Sequence, residues 1–235
     1  MRLDKYICDN STLTRSLATK AIKSGRIKVN SSKAKSGSQK IQINVDQVFF
    51  DGQLVESQPS NRYFMMNKPK GVVCANIDGD HALVFDLMSS EINVSKLHTV
   101  GRLDKDTTGL LLITDDGQWS HQITSPKHHQ AKTYRAWLAE DLIVDAEQQV
   151  EAGIILKDEI KPTLPAQLKR ITDSEVLITI SEGRYHQVKR MFAALGNRVV
   201  TLHRESIGEI ALDSQLAPGE YRALTAQEIK VLIPQ

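Results

Sequence analysis

The chain has 235 residues, of which 40% are hydrophobic and 25% charged, and its net charge is +2. These values are typical of a soluble globular protein and exclude a disordered chain, and the length allows one large domain with a small one beside it. Two cysteines, Cys8 and Cys74, are too few for a disulfide framework or a structural zinc site. Because no apolar stretch reaches membrane-spanning length and the first residues lack a signal-peptide core, we expect a cytoplasmic protein with no membrane partner.

Positive charge is concentrated at the N-terminus. Residues 1–40 contain ten Lys and Arg against two Asp, a net of +8, which leaves 20 basic against 26 acidic residues, or −6, for the rest. A basic module in front of an acidic body favours binding to a polyanion, since Lys and Arg contacts to phosphates dominate nucleic-acid affinity. The candidate RNA-binding residues of this module are Arg2, Lys5, Arg15, Lys20, Lys23, Arg26 and Lys28.

The sequence of residues 1–58 predicts a helix followed by a hairpin. The apolar face of the helix consists of Leu17, Ala18, Ala21 and Ile22. Thr14 is a suitable N-cap and Gly25 a suitable C-terminal stop. A strand over 26–30 and strand-like composition over 41–55, with an Asp51-Gly52 turn, complete a compact RNA-binding shape.

A boundary is predicted after this module, because residues 57–61 have linker composition. We assign 1–58 to the first domain, 59–61 to the linker and 62–235 to the second domain. Candidate strands of the second domain are 63–66, 72–75, 110–114, 133–138, 167–171 and 176–180. Strands at irregular intervals with few helices between them favour an α+β fold over a doubly wound parallel sheet.

Two helices are predicted in the second domain. The first follows Arg184, since its apolar residues repeat with the helical period up to Gly196; they are Val188, Met191, Phe192 and Leu195. The second is short and lies near the C-terminus. It begins with a capping box from Thr225 to Glu228, and Leu224 and Ile229 occupy the positions of a hydrophobic staple.

Four aspartates flank the apolar run 110–113: Asp104, Asp106, Asp115 and Asp116. The second pair, followed by Gly117, has the composition of a turn that leaves a strand. The first pair lies among glycines and threonines and allows three interpretations: a metal site with His128-His129, a pair of catalytic carboxylates, or simple loop closure. Residue spacing alone leaves these open.

Several segments together resemble a known family. They are RYFMMNKPKGVVC at 62–74, LHTVGRLDKDTTGLLLITDDG at 97–117, SPKHHQAKTY at 125–134, KTYRAWL at 132–138, ISEGRYHQVKRM at 180–191, RMFAALGNRVVTLHRESIG at 190–208 and LAPGEYRALT at 216–225. They resemble the pseudouridine synthases, in the RsuA branch that modifies ribosomal RNA. RLDKYI at 2–7 and AIKSGRIKVN at 21–30 resemble the αL RNA-binding motif of a small-subunit ribosomal protein. The resemblance covers nearly the whole chain.

The resemblance implies a monomeric enzyme that isomerises one uridine of 16S ribosomal RNA, free or in a small-subunit assembly intermediate, without cofactor or metal. It implies a catalytic domain with a mixed, mainly antiparallel sheet. By motif position, Asp104 is the essential aspartate, Tyr134 lies against the target base, and Arg184 pairs with the aspartate, while Asp106 is structural. Further RNA contacts are expected from Arg102, Lys132, Lys189 and Arg190.

Two alternatives share these motifs. One is a ribosome-binding or assembly factor that keeps the fold without activity, against which the intact Asp104, Tyr134 and Arg184 argue. The other is a sister enzyme that acts on large-subunit RNA, and the absence of a long basic C-terminal tail favours the small-subunit type by resemblance.

Overall fold

The basic N-terminal part folds as two helices and a small sheet. The computed structural model describes residues 1–43, 45–57, 61–125, 128 and 130–232. The elements of this part are α1 (Leu3–Asn10), α2 (Arg15–Lys23), β1 (Ile27–Val29), β2 (Ser32–Lys33), β3 (Val48–Phe50) and β4 (Gln53–Leu54). Its described strands pair antiparallel in the order β2, β1, β3, β4. Leu3, Ile7, Ile27 and Val48 are fully buried, so both helices and the sheet share one core.

Of three local predictions for this part, one is confirmed and two are wrong. The Thr14 side chain accepts a hydrogen bond from the Leu17 amide, which confirms the predicted N-cap of α2. The prediction that Leu17 lies on the buried face is wrong, because it is 47% exposed. The prediction of a strand from residue 41 is also wrong: Ile41 pairs with Met1 through two hydrogen bonds of 2.8 Å, and the described chain enters β3 only at Val48.

The second part is built on one large mixed sheet. Its strands are β5 (Tyr63–Lys68), β6 (His98–Val100), β7 (Thr108–Thr114), β8 (Lys132–Leu138), β9 (Gln167–Arg170), β10 (Glu175–Ile180), β11 (Val199–Ile207), β12 (Ile210–Ala211) and β13 (Tyr221–Ala223). The main order is β13, β5, β7, β11, β8, β10, β9, with β6 paired to β7 and β12 to β11. Among the described pairings only β7 with β11 is parallel, which confirms a mainly antiparallel α+β fold.

Helices and short turns cover this sheet. They are a 3-10 helix at Val84–Met88 and the α-helices α3 (Gly117–Thr124), α4 (Ala146–Ala152), α5 (Gln187–Ala194) and α6 (Ala226–Val231). A further 3-10 helix, Val94–Lys96, belongs to the first unit. The predicted helix after Arg184 is α5, and the predicted capping box starts α6 with both of its hydrogen bonds formed. The strand predicted at 72–75 is absent from this described stretch, where Val73 forms only an isolated bridge to Leu83.

Two compact units divide the chain. The first contains Met1–Asn61 with Met88–Lys96, and the second contains Arg62–Leu87 with Leu97–Gln235. Asn93 donates from its side-chain amide to the Cys8 carbonyl at 2.6 Å, and Lys96 forms an ion pair with Asp9. The sequence analysis did not predict that a segment so far along the chain packs with the first unit. None of the described helices has the length and apolar character needed to cross a bilayer.

Gly109 allows β7 and β11 to approach each other. Its φ of +101° is a conformation that side chains other than glycine rarely adopt. A Cβ atom at this position would lie 2.7 Å from the Arg204 amide nitrogen and closer still to the Arg204 carbonyl oxygen. The parallel pairing of the two strands, which opposes Arg204 to Gly109, therefore requires glycine here.

We expect Gly109→Ala to lower the free energy of unfolding by about 2 to 4 kcal/mol, because it combines a strained φ with an overlap against backbone. Gly71→Ala is the matched control, since Gly71 has a φ of +98° but no atom within 4 Å of its Cβ position. Urea unfolding of both variants measures the difference. Equal losses would show that the overlap with β11 contributes nothing.

Candidate active site

A cavity of about 770 Å³ lies in the second unit. Asp104, Tyr134 and Arg184, the three residues predicted to be catalytic, all line it, and so do Arg102 and Lys132. These residues come from the loop before β7, from strand β8 and from the turn before α5. The fold therefore brings the three predicted motifs to one concave surface, as a binding site requires.

Lys68 fixes the loop that carries Asp104. Its side chain is fully buried at the end of β5, and its Nζ donates to the carbonyl oxygens of Asp104 at 3.1 Å, Thr107 at 2.9 Å and Pro69 at 3.1 Å. Burial lowers the pKa of Lys68, since a charge is costly to desolvate, but three carbonyl dipoles favour the ammonium form. One buried cation thus replaces solvent for three backbone carbonyls and holds the loop in place.

The Asp104 carboxylate meets a cation from α5. Its Oδ2 accepts a hydrogen bond from Lys189 Nζ at 2.9 Å, and its Oδ1 lies 3.4 Å from His186 Nε2. Lys189 also donates to Asp106 Oδ1 at 2.6 Å. Lys189 was predicted as an RNA-facing residue on a solvated helix surface; the structure instead makes it the partner of both aspartates in the loop.

The predicted pairing of Arg184 with Asp104 is wrong in this structure. Arg184 Nη1 donates to Glu159 at 2.6 Å, and its Nε donates to Glu182 at 3.1 Å. Arg184 Nη1 also donates to the Lys161 carbonyl oxygen, and Nη2 donates to the Pro162 carbonyl oxygen. Through these bonds Arg184 connects Glu182 to the segment 159–162 and holds that segment in place.

The turn before α5 explains why Lys189 and not Arg184 reaches Asp104. His186 has a φ of +47°, and α5 begins at the next residue, so Lys189 lies in its first turn. Side chains in a helix point toward its N-terminus, which directs Lys189 back to the loop. Gln187 closes the turn, because its side chain accepts from the Arg184 amide at 2.8 Å and donates to Glu182 at 2.9 Å.

Lys189 and Asp106 perturb each other's protonation. Burial alone would lower the pKa of Lys189, but the hydrogen bonds that it donates to Asp106 and Asp104 outweigh burial and raise the pKa. The hydrogen bond from Lys189 lowers the pKa of Asp106. Both directions favour the charged forms of this pair, so Lys189 supplies a fixed positive charge beside the loop.

Tyr134 forms part of the buried wall. It lies on β8, 8% exposed, opposite Ile178 of β10 and Arg204 of β11. The Arg204 guanidinium carbon lies 5.9 Å from the centre of the Tyr134 ring, and Arg204 Nη1 lies 3.4 Å from the hydroxyl. Arg204 is a cavity residue that the sequence analysis did not single out, although the segment 190–208 that contains it resembles the family.

The predicted RNA-binding residues of the first unit are all solvent-exposed; they are Arg2, Lys5, Arg15, Lys20, Lys23, Arg26 and Lys28. Arg2 forms an ion pair with Asp4, and Arg26 with Asp51, so these two are partly neutralised. In the second unit Arg102 is exposed at the cavity. Arg190 donates to Glu159 and to the Lys157 carbonyl, both at 2.6 Å, which ties it to the protein. RNA contact by these residues stays a prediction.

Metal ligation finds no support in the part of the chain that is described. No three His, Cys, Asp or Glu side chains among those residues are grouped as a metal ion would require. The metal alternative included His129, which lies outside the described residues. Cys74 Sγ accepts a hydrogen bond from the Leu103 amide at 3.4 Å, and burial raises the pKa of its thiol, so this cysteine is a packed neutral group.

The sequence of the two units matches two protein-family models. Residues 1–46 match the S4 domain, and residues 62–194 match the RNA pseudouridylate synthases. An S4 domain in front of a mixed sheet whose cavity presents Asp104 with its partner Lys189, and Tyr134, defines an RNA-modifying enzyme.

The chain belongs to the RNA pseudouridylate synthase family. It is 52% identical over 233 residues to a ribosomal small subunit pseudouridine synthase A of Haemophilus influenzae, covering 99% of this chain and 100% of the relative. It is 53% identical over 229 residues to the protein of that name from Vibrio cholerae, with 97% and 98% covered. A crystal structure of a pseudouridylate synthase is 50% identical and superposes with a TM-score of 0.71 over 99% of this chain and 100% of that one.

Proposed function

We propose that the enzyme converts one uridine of 16S ribosomal RNA to pseudouridine. The Asp104–Lys189 pair, in a cavity that Tyr134 also lines, supports the reaction. The small-subunit names of relatives about half identical over nearly their full lengths support the substrate. Isomerisation breaks the bond between uracil and ribose and rejoins the ring through carbon. It consumes no electrons and needs no cofactor, but it needs a positioned carboxylate.

Each site residue then has a role. Asp104 is the carboxylate that acts on the target nucleotide, and Lys189 supplies the charge partner that we had expected from Arg184. The target uridine must leave its stack to enter the cavity, and contact with the Tyr134 ring offsets part of the cost, by about 1 to 3 kcal/mol. Arg102 and Lys132 line the same cavity and are suited to the flanking backbone.

The exposed basic residues of the first unit dock the RNA in this proposal. The substrate is 16S RNA, free or within a small-subunit assembly intermediate, and the enzyme acts as a cytoplasmic monomer. The S4 domain match and the exposed lysines and arginines support the docking role.

Mapping of the modified position tests the proposal. The enzyme is incubated with 16S and 23S RNA from a strain that lacks it, and pseudouridine is located by carbodiimide treatment and reverse transcription. We expect one new stop in 16S RNA and none in 23S RNA. A stop only in 23S RNA would favour the large-subunit alternative, and no stop in either RNA or in assembly intermediates would favour a non-enzymatic assembly factor.

The docking role predicts a weaker salt dependence when first-unit charges are removed. We expect Lys5→Gln with Lys28→Gln to reduce the slope of log affinity against log salt by about 1 to 2, since each phosphate contact contributes nearly one. Lys169→Gln with Lys230→Gln is the control, because both residues are exposed in the second unit. Equal slopes for the two double variants would argue against docking by the first unit.

A further inference from the structure

Tyr185 is an exposed aromatic residue at the rim of the cavity. It lines the cavity and is 75% exposed, whereas every other Phe, Trp and Tyr, all of them within the described ranges, is buried or half-buried. Exposure alone indicates little, since single apolar side chains are common on protein surfaces. The support and the location of the Tyr185 ring make it a candidate for binding a ligand.

The His186 ring covers one face of Tyr185. The two ring centres are 3.8 Å apart, and the ring planes lie within 20° of parallel. Because Tyr185 remains 75% exposed, its other face is open to solvent. A flat, apolar surface of this kind suits a nucleic-acid base, since every base has a face that stacks on an aromatic ring.

The backbone around this pair of rings is fixed. His186 has a φ of +47°, a conformation that residues other than glycine adopt at a cost and that is frequent at ligand sites. Arg190 Nη1 donates to the Tyr185 carbonyl oxygen at 3.3 Å, and the same guanidinium binds Glu159 and the Lys157 carbonyl. A surface that is held in place before binding loses less entropy when a ligand stacks on it.

His186 also relates the two rings to the reacting carboxylate. Its Nε2 lies 3.4 Å from Asp104 Oδ1. The target nucleotide must meet Asp104 itself, whereas a base on the open face of Tyr185 is separated from His186 by the whole tyrosine ring. The open face of Tyr185 therefore suits a neighbour of the target along the strand, and not the target itself.

We infer that Tyr185 stacks the base of a nucleotide directly next to the target uridine. The inference rests on the proposed function and adds a base contact outside the place of the target. When the uridine leaves its stack, its neighbour loses a stacking partner, and an aromatic ring replaces that partner. Arg102 and Lys105 are exposed and line the same cavity, which provides cations for the phosphates of the strand. Tyr185 is thus a positioning residue.

RNA binding by an enzyme without turnover tests the inference. The probe is a 16S RNA fragment that contains the uridine mapped as described above, and every protein carries Asp104→Asn. We expect Tyr185→Ala and Tyr185→Leu each to weaken binding about 5- to 100-fold, the range for loss of one stacked base, and Tyr185→Phe to keep it within about 2-fold. Val144→Ala is the control, since Val144 is 95% exposed and does not line the cavity. An equal loss in the Phe and Ala variants would assign the effect to the hydroxyl and overturn the inference.

Abasic residues in the probe identify the partner of Tyr185. The fragment is made without the base on the 5′ side, or on the 3′ side, of the mapped uridine. One of these two probes should bind the parent as weakly as the intact probe binds Tyr185→Ala, and it should bind Tyr185→Ala no more weakly still. Losses that multiply for both probes would show that Tyr185 contacts neither base and would overturn the inference.

The outcome for Tyr185 is distinguishable from that for the proposed function. A uridine mapped only in 23S RNA would refute the proposed substrate, and the same abasic series around that uridine would still support or overturn the stacking contact. A uridine mapped in 16S RNA, together with losses that multiply, would leave the proposed function intact and refute the stacking contact alone. Modification of neither RNA would refute both.

Discussion

Asp104→Asn and Asp104→Ala should abolish pseudouridine formation, with a fall in rate of about 10⁴-fold or more, because the carboxylate acts on the nucleotide itself. Fold and RNA affinity should change little. The Asp104 side chain is 30% exposed, and its contacts with Lys189 and His186 lie at the protein surface, so we expect a stability change within about 1 kcal/mol. Tritium release from labelled RNA measures the rate, and urea unfolding measures the stability.

Asp106→Ala is the control for this experiment. Asp106 shares Lys189 with Asp104, but its side chain is 60% exposed. We expect the variant to keep activity within about 5-fold of wild type, since removal of an exposed charge partner has a small effect. If Asp104→Ala were active and Asp106→Ala inactive, Asp106 and not Asp104 would be the catalytic aspartate.

The second large effect concerns Lys189. Replacement by Met removes the cation 2.9 Å from Asp104 and should lower the single-turnover rate about 100- to 1,000-fold, in the range found for loss of a preorganised charge. Lys189→Arg keeps the charge but changes its shape and should retain more activity than the Met variant. Rates at saturating RNA, compared with binding measured separately, locate the loss in the chemical step.

Arg184→Met is the contrasting variant. Because Arg184 binds Glu159, Glu182 and two carbonyls, its removal should lower stability by about 2 to 4 kcal/mol by leaving these partners unpaired. Its catalytic rate at a temperature where it is folded should fall less than that of Lys189→Met. If Arg184→Met were stable and as inactive as Lys189→Met, we would conclude that Arg184 pairs with Asp104 in the RNA-bound enzyme, as the sequence predicts.

The contribution of Lys189 to stability should depend on pH in a defined way. Its pKa in the folded protein is raised above the ordinary 10.5, so the stabilisation is complete below pH 10.5 and is lost as pH rises through the folded pKa. The pKa of Asp106 is lowered below 3.8, so its part is complete above pH 3.8 and is lost as pH falls through the folded pKa. The difference in unfolding free energy between wild type and Lys189→Met should therefore be constant near neutrality and shrink at both extremes.

Short-range signals were enough to predict much of the fold. The Thr14 cap, the capping box from Thr225 to Glu228 and the apolar period of α5 depend on residues three or four apart, and the structure contains each of them. The segment Met88–Lys96 depends instead on contacts to Cys8 and Asp9, more than 80 residues away. No local pattern encodes such a contact.

In the candidate site, too, some residues were predicted from sequence motifs, and others depend on the folded structure. Asp104 and Tyr134 were placed correctly at one cavity because their motifs resemble those of the family. The cation was misassigned between Arg184 and Lys189, which lie five residues apart in one motif, and the choice depends on the left-handed turn at His186. Arg204 was not predicted as a cavity residue, because its position follows from the pairing of β11 with β7 and β8, which joins segments distant in the sequence.

The close approach at Gly109 affects how substitution data on this enzyme should be read. A saturation library selected for ribosomal RNA modification would return glycine alone at this position, as it would return aspartate alone at Asp104. The two positions fail for different reasons: an added methyl group at Gly109 separates two strands, whereas a changed group at Asp104 leaves them paired. Measuring the abundance of folded protein as well as activity distinguishes the two positions: variants at Gly109 lose folded protein, whereas variants at Asp104 keep it and lose activity.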